Sequence, residues 1–157
     1  MKRIKLTQNK YTLVDDEDHE WLNAFKWYFG ARGKAVRTDK NRKMLYMSRV
    51  ILEHYNSDLT SLEVDHIDLN TLDNRKINLR VATHHQNLGN LPKFKRNTSG
   101  FKGVAWHSIA KRWRAYISKN GRYTHLGLFN TKEEAAVTYD KEAARLRGEF
   151  ARLNIYA

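Results

Sequence analysis

The charge of this chain changes abruptly near its single proline, Pro92, and that break limits what the chain can fold into. Residues 1–90 hold 15 basic and 12 acidic residues, a net of +3, whereas residues 91–157 hold 14 basic and 5 acidic, a net of +9. From Leu91 to Arg122 there are nine Lys/Arg and no acid at all. A proline set among Lys93, Lys95 and Arg96 reads as a linker between parts that fold separately. The expected organisation is a first domain over 1–90, a basic linker over 91–99 and a second domain over 100–157. Each part is small, so each must close its core with little apolar area to spare.

The same composition excludes several classes. With no cysteine, disulfides and thiolate zinc sites are impossible, so no structural zinc is expected. Any metal must sit on oxygen and imidazole ligands, which favours magnesium, manganese or calcium. Mean hydropathy is −0.76, and no run approaches the ~18 apolar residues of a membrane helix. Met1-Lys2-Arg3-Ile4-Lys5-Leu6 is charged but lacks the apolar core of a signal peptide. The expectation is a cytoplasmic protein, neither secreted nor membrane-bound and with no obligatory protein partner. A net charge of +12 predicts a polyanionic one.

Periodicity gives the elements. Ile4, Leu6, Tyr11 and Leu13 suggest strands joined near Gln8-Asn9. Asp15-Asp16-Glu17-Asp18 precedes Trp21 and Leu22 and reads as a helix N-terminus, where acids complement the dipole. Ala35-Val36-Arg37 and Met44 to Met47 form a hairpin about Asp39-Lys40-Asn41-Arg42, and Ser48 to Tyr55 a short helix. Glu63 to Asp68 is a strand entering a polar loop. Asn78 to Ala82 is its return strand, and Thr83 caps a helix to Asn90. In the second half, Phe101–Ala105, Trp113–Ser118 and Tyr123–Leu128 read as strands. Thr131 and Glu134 have capping-box spacing before a helix with Ala136, Tyr139, Ala143 and Leu146 on one face. The fold class is α+β: a ββα unit with N-terminal strands, then a three-stranded antiparallel sheet packed on one helix.

Within the first half, Asp65-His66 sits twelve residues before Asn78, and Asn87 follows nine residues later. Hydrolysis of a phosphodiester needs a base to deprotonate water and a divalent metal to stabilise the charge developing on phosphorus and the leaving oxygen. Neighbours on a strand point to opposite faces, so for Asp65 and His66 to serve one site the backbone must turn at the strand end. The loop with Asn70, Asp73 and Asn74 supplies such a turn. Val64-Asp65-His66-Ile67-Asp68, Asn70, Asp73-Asn74-Arg75, Asn78-Leu79-Arg80, Ala82-Thr83 and Gln86-Asn87 together resemble the HNH motif of phage homing endonucleases, whose fold is ββα-metal. The resemblance implies that Asp65 and Asn87 are metal ligands. It implies that His66 is the general base and that Asn78 fixes the loop carrying it. The metal implied is magnesium, with manganese able to substitute. His84 and His85 begin the helix and read as exposed residues. Two departures stand out: Leu69 where the family often has Gly, and Ser48-Arg49 where relatives often have His-Arg.

A second resemblance runs over roughly 97–155. Asn97-Thr98-Ser99-Gly100-Phe101-Lys102-Gly103-Val104, Trp113 to Ile117, Leu126 to Phe129, Thr131 to Ala136, Tyr139-Asp140 and Ala151 to Asn154 are similar to the APETALA2-type DNA-binding domain. That family lays its sheet in the DNA major groove with the helix behind. Alternation assigns Arg114, Tyr116 and Ser118 of the middle strand to the open face, with Tyr123 and His125 of the last strand and Lys102 of the first. Trp106, Lys111, Arg112, Lys119 and Arg122 are expected in turns, reaching phosphates. Ala105 stands where an arginine is expected and Tyr123 near another such position, so plant-type target sequences do not carry over. The reading is a metal-dependent endonuclease that nicks or cuts double-stranded DNA, held by its C-terminal domain. Two alternatives stay open at this level: a DNA-binding regulator with a silent motif, and an RNA binder using the sheet's aromatics.

Overall fold

The structure is a computed structural model and describes residues 1–55, 58–119 and 121–154, with Lys119 described only as the end of its strand. It divides into two compact units, Met1–His84 and His85–Ala157.

In the first unit β1 (Lys2–Lys5) and β2 (Tyr11–Val14) form an antiparallel hairpin. Gln8 and Asn9 take positive φ at its turn. The acidic cluster starts α1 (Asp16–Asn23), as its position before an apolar stretch predicts. It has further work: Asp15 accepts from the backbone of Lys76, and the fully buried Asp18 accepts from Trp21 Nε1 and the Tyr55 hydroxyl. β3 (Tyr28–Phe29), β4 (Ala35–Thr38) and β5 (Met44–Tyr46) form one antiparallel sheet, with Asp39 accepting from the backbone of Asn41 and Lys43 in the β4–β5 turn.

α2 (Met47–Tyr55) follows directly. Its Arg49 donates to the carbonyls of Leu59 and Leu62 and pairs with Glu53, tying the helix to the segment before β6 (Glu63–His66). β6 pairs antiparallel with β7 (Leu79–Ala82), and α3 (His84–Asn90) comes next, completing the expected ββα succession. The return strand begins one residue later than expected, because Asn78 closes a 3-10 turn, Lys76–Asn78. The core of this unit gathers Ile4, Val14, Leu22, Trp27, Met47 and Ile51 with their neighbours, so the N-terminal hairpin and the β6–β7 unit share one interior.

The second unit carries β8 (Val104–His107), β9 (Arg112–Lys119) and β10 (Arg122–Phe129) in the order β10-β9-β8, all antiparallel, with α4 (Lys132–Arg147) against one face. The capping box is complete: Glu134 N donates to Thr131 Oγ1, and Thr131 N donates to Glu134 Oε2. β8 starts three residues later than the expected strand at Phe101. Gly103 is the reason, with φ +73 and no room for a Cβ against the Tyr139 ring. Asn154 closes the unit. Its side chain accepts from Lys102 N and donates to Lys102 O, while its own N–H donates to Asp140. Asn97 and Ser99 bond to the carbonyls of Phe101 and Val104.

Candidate active site and nucleic-acid face

β6 delivers Asp65 and His66 to different partners. Asp65 lies across from Arg80 in the β6–β7 register and is 3% exposed. Arg80 Nε and Nη2 both reach Asp65 Oδ2, at 2.9 and 2.7 Å. Charge-assisted bonds of this kind hold a buried carboxylate in a fixed orientation. Arg80 lies within the motif, where spacing alone assigns it no role.

His66, 4% exposed, ends β6 and turns its Nε2 to Asn74 Oδ1 at 3.1 Å. Asn74 Nδ2 donates to Thr12 Oγ1 at 2.8 Å, and Thr12 Oγ1 donates to the Leu72 carbonyl at 2.8 Å. Burial pushes the His66 imidazole below its ordinary pKa, against the opposing effect of the Asn74 hydrogen bond. A neutral imidazole near pH 7 is the state a proton acceptor needs.

Asn78 binds both sides of the loop that carries His66. Its Oδ1 accepts from Asp68 N at 3.0 Å and its Nδ2 donates to Asp73 O at 2.9 Å, while Ile67 N donates to its carbonyl. Within the loop, Leu69 N donates to His66 O, and Leu69 adopts φ 71, the left-handed conformation that glycine takes without strain. Asp73 is held by Arg75, which keeps its carboxyl below the usual range. Ser48 is buried, and Arg49 is the α2 staple already described.

Asn87 stands in α3, in the second unit. His84 Nδ1 pairs with Glu63 at 2.8 Å, both side chains partly exposed. For a divalent cation, Asp65 and an amide oxygen make a fitting donor set. Such ions take hard oxygen ligands, and magnesium is commonly held by one or two carboxylates while water and substrate phosphate complete its shell.

In the second unit the register sorts the expected nucleic-acid residues. Ala115 and Ile117 are buried beneath α4, so Arg114, Tyr116 and Ser118 alternate to the open side. Tyr123 pairs with Ser118 and His125 with Tyr116, placing both on that side. The Arg114 guanidinium lies 5.2 Å from the Tyr116 ring centre, and the Tyr116 and Tyr123 rings are 5.9 Å apart.

Several expectations need correction. Arg112, Arg122 and Trp106 lie in strands rather than turns. Only Lys111 is in a turn, at φ 52. Trp106 pairs with Trp113, whose ring it meets edge-on at 5.2 Å, so it belongs to the helix side of the sheet. Arg122 alternates to that side as well, because its neighbour Tyr123 is on the open one. Lys102 is not on the face: it precedes β8, and its Nζ donates to the carbonyls of Gly89 and Leu91 at 2.7 and 2.5 Å. The side chain expected of Lys119 lies outside the described residues.

Two open-face residues escaped the sequence reading. His107 joins through its pairing with Arg112, and its Nδ1 accepts from Ala110 N. Leu128 joins because a bulge between His125 and Gly127 shifts the alternation, pairing Leu128 with Arg114. Simple alternation would have sent Leu128 to the helix side, and Gly127 was the signal available for the bulge. His107, Arg114, Tyr116, Tyr123, His125 and Leu128 line one depression on this face.

Comparison with known proteins matches both halves. Residues 45–88 match the HNH endonuclease family. An uncharacterized HNH endonuclease of Acanthamoeba polyphaga mimivirus is 35% identical over 133 residues, covering 85% of this chain and 68% of the relative. Protein 3.8 of Escherichia phage T7 is 35% identical over 89 residues, covering 57% of this chain and 73% of that protein. The ethylene-responsive transcription factor WRI1 of Arabidopsis thaliana is 43% identical over 63 residues, 39% of this chain but only 15% of the plant protein. The second half is therefore similar to the APETALA2-type domain, and DNA is the partner that both likenesses imply. With the Asp65-His66 strand end, the Asn78-pinned loop and these relatives taken together, the chain belongs to the HNH endonuclease family of phosphodiester-cleaving nucleases.

Proposed function

We propose that this chain is a homing-type endonuclease that nicks or cuts double-stranded DNA, with His66 as general base. The observation that carries the reading is the setting of His66. It is a buried imidazole bonded through Nε2 to Asn74, on a loop braced by Asn78 and one residue from the Arg80-paired Asp65. HNH endonucleases use a divalent metal, here magnesium or manganese. Asp65 and Asn87 are the residues that would hold it, a choice that rests on motif spacing. When bound there, such a metal would supply stabilisation of negative charge on the reacting phosphate. His66 takes the proton of the attacking water, and Asn78 holds the His66 loop against Asp68 and Asp73. The open face of β8–β10 docks on the duplex, with Arg114, Arg112 and Lys111 supplying positive charge and Tyr116, Tyr123 and His125 making contact. One active site per chain nicks a single strand in each event, and a double-strand cut takes two events or two copies.

The test is one gel. Wild-type protein and His66→Ala are incubated with supercoiled plasmid carrying the DNA that flanks the gene, with magnesium and with EDTA. Nicked or linear product requiring both metal and His66 is the expected result. Retarded DNA with no cleavage under magnesium or manganese would overturn the catalytic roles and leave a DNA-binding regulator.

A further inference from the structure

We propose that Arg32 and Lys34 bind the DNA backbone beside the His66 loop, making the β3–β5 sheet of the first unit a second phosphate-binding surface. The inference rests on the reading of this chain as an endonuclease acting on DNA. It gives a role to residues outside 45–88, the segment that matches the family. The net charge of +3 over residues 1–90 conceals a segregation. From Lys26 to Arg49 there are eight Lys/Arg and one acid, Asp39, whereas the remainder of 1–90 holds seven Lys/Arg and eleven acids. Pairing is segregated as well. Arg49, Arg75, Lys76 and Arg80 each pair with a carboxylate. Among the described residues, none of the seven Lys/Arg from Lys26 to Lys43 does. Asp39 is taken up by the backbone N–H groups of Asn41 and Lys43. Cations gathered without counter-charges on one part of a surface attract a polyanion.

The fold brings two of these cations against the His66 loop. Thr71, in that loop, donates through Oγ1 to the Gly33 carbonyl at 2.8 Å. Gly33 lies between Arg32 and Lys34, at the end of the turn Ala31–Gly33 that leads into β4. The tie uses a backbone carbonyl, so it leaves both side chains available to a ligand. Arg32 is exposed and Lys34 half-buried. Lys34 has extended backbone, and alternation puts it on the face of Tyr28, Val36 and Tyr46, which pair across β3, β4 and β5. Its Nζ lies 5.5 Å from the Tyr46 ring centre, and on the same face the Tyr28 and Thr38 hydroxyls are 3.1 Å apart. The opposite face, with Ala35 and Phe29, packs on the core, and Arg37 turns to it, stacked 4.2 Å from the Phe25 ring centre. After burial, the Lys34 charge is the next influence that lowers the His66 pKa, as a cation near the imidazole does.

Guanidinium, ammonium and hydroxyl groups on one face are the donors that phosphate oxygens accept from. Arg32 offers a planar fork and Lys34 a compact charge, and neither reads the base sequence. A substrate phosphate whose neighbour lies at His66 would meet both. Lys40, Arg42 and Lys43, exposed on the β4–β5 turn, extend the same positive surface along the hairpin. Contacts to phosphates that do not react are equally strong before and during the reaction. Their kinetic mark is therefore on KM, with kcat kept.

The experiment measures binding of the full-length protein to a mixed-sequence DNA duplex across a salt series in EDTA, then cleavage of the flanking-DNA plasmid under magnesium. Wild type is compared with Arg32→Gln/Lys34→Gln and with Arg3→Gln/Lys5→Gln, which removes the same charge from exposed positions of β1. Each phosphate contact adds ~0.9 to the slope of log affinity against log salt. Arg32→Gln/Lys34→Gln should lower that slope by about 2 and weaken binding about 10–30-fold near physiological salt. KM should rise in step, with kcat held within about 2-fold. Arg3→Gln/Lys5→Gln should do none of this. A folded Arg32→Gln/Lys34→Gln whose slope is unchanged, or falls no more than that of Arg3→Gln/Lys5→Gln, overturns the proposal. So does a loss of kcat with the slope unchanged, which would make the turn a structural brace of the His66 loop. Failure of the endonuclease reading has a different signature. Wild type would then bind the duplex and cut nothing under magnesium or manganese, while the slope in EDTA still decides whether Arg32 and Lys34 hold phosphate.

Discussion

Leu69 concentrates the local strain of the His66 loop in one residue. Its φ of 71 puts a branched side chain in the left-handed region, three residues after the strand end that sets Asp65 and His66. The substitution was readable as a departure from the family's glycine, and the structure gives its physical meaning. Left-handed backbone costs a non-glycine residue roughly 1–2 kcal/mol, and a glycine returns about 0.5–1 kcal/mol of that through its greater freedom in the unfolded chain. Leu69→Gly should therefore stabilise the protein by about 0.5–1 kcal/mol, a Tm rise of ~1–4 °C in a melting experiment. A fall in Tm would mean that the partly buried Leu69 side chain packs more strongly than its backbone is strained. The chemistry-bearing residues themselves were legible because their types and spacings form a set. Their partners were not. Arg80 faces Asp65 only through strand register, and Thr12 meets Asn74 only through tertiary pairing of segments about sixty residues apart. Local pattern contains neither.

At the scale of elements, legibility follows periodicity and fails where a glycine interrupts it. The β1–β2 and β4–β5 hairpins, α2 and α4 appear where apolar spacing, turn residues and the Thr131–Glu134 cap put them. β8 does not begin at Phe101, and β10 does not alternate to its end. In both places the backbone takes a φ that a β-strand does not allow: +73 at Gly103 and +140 at Gly127. The bulge before Gly127 carries Leu128 onto the open face, and the late start of β8 leaves Lys102 off it. Gly103 is the more stringent position. A Cβ there would lie 2.0 Å from Tyr139 Cδ2 and 2.7 Å from the Tyr116 carbonyl, so neither a side-chain nor a backbone shift alone makes room. Gly103→Ala should cost about 3 kcal/mol, from overpacking and positive φ together. Urea unfolding followed by fluorescence and by near-UV circular dichroism measures it. An effect below ~1 kcal/mol would show that the loop before β8 can move away from α4 without penalty.

Across the whole molecule, charge is the property that both organises the chain and opposes its folding. The second unit, His85–Ala157, carries the net +9 that attracts a polyanion, and the same surplus bears on any ammonium it buries. Lys102 is that ammonium. Desolvation first, then the charges of Arg147 and Arg152, push its pKa down to about 8 from an ordinary 10.5, while its Nζ bonds to Gly89 O and Leu91 O. The sequence suggested a DNA contact because alternation along a first strand beginning at Phe101 puts Lys102 opposite the Phe101 and Gly103 face. The structure instead makes it an internal tie from the loop before β8 to the end of α3, and only packing could reveal that. The consequence for stability has a definite sign. Between about pH 8 and about pH 10.5 the unfolded chain keeps the Lys102 proton and the folded chain has released it, so the unfolded state binds more protons and stability rises with pH. Below about pH 8 both states are protonated, and Lys102 contributes no slope. Urea unfolding of the full chain at pH 7.5, 9 and 10.5 should show wild type gaining stability relative to Lys102→Met across that window. The difference between the two should be flat below it. A wild-type curve parallel to that of Lys102→Met throughout would mean that the carbonyls of Gly89 and Leu91 hold the ammonium well enough to cancel its desolvation. Lys102 would then be a fixed positive charge of the second unit at every pH where the protein folds.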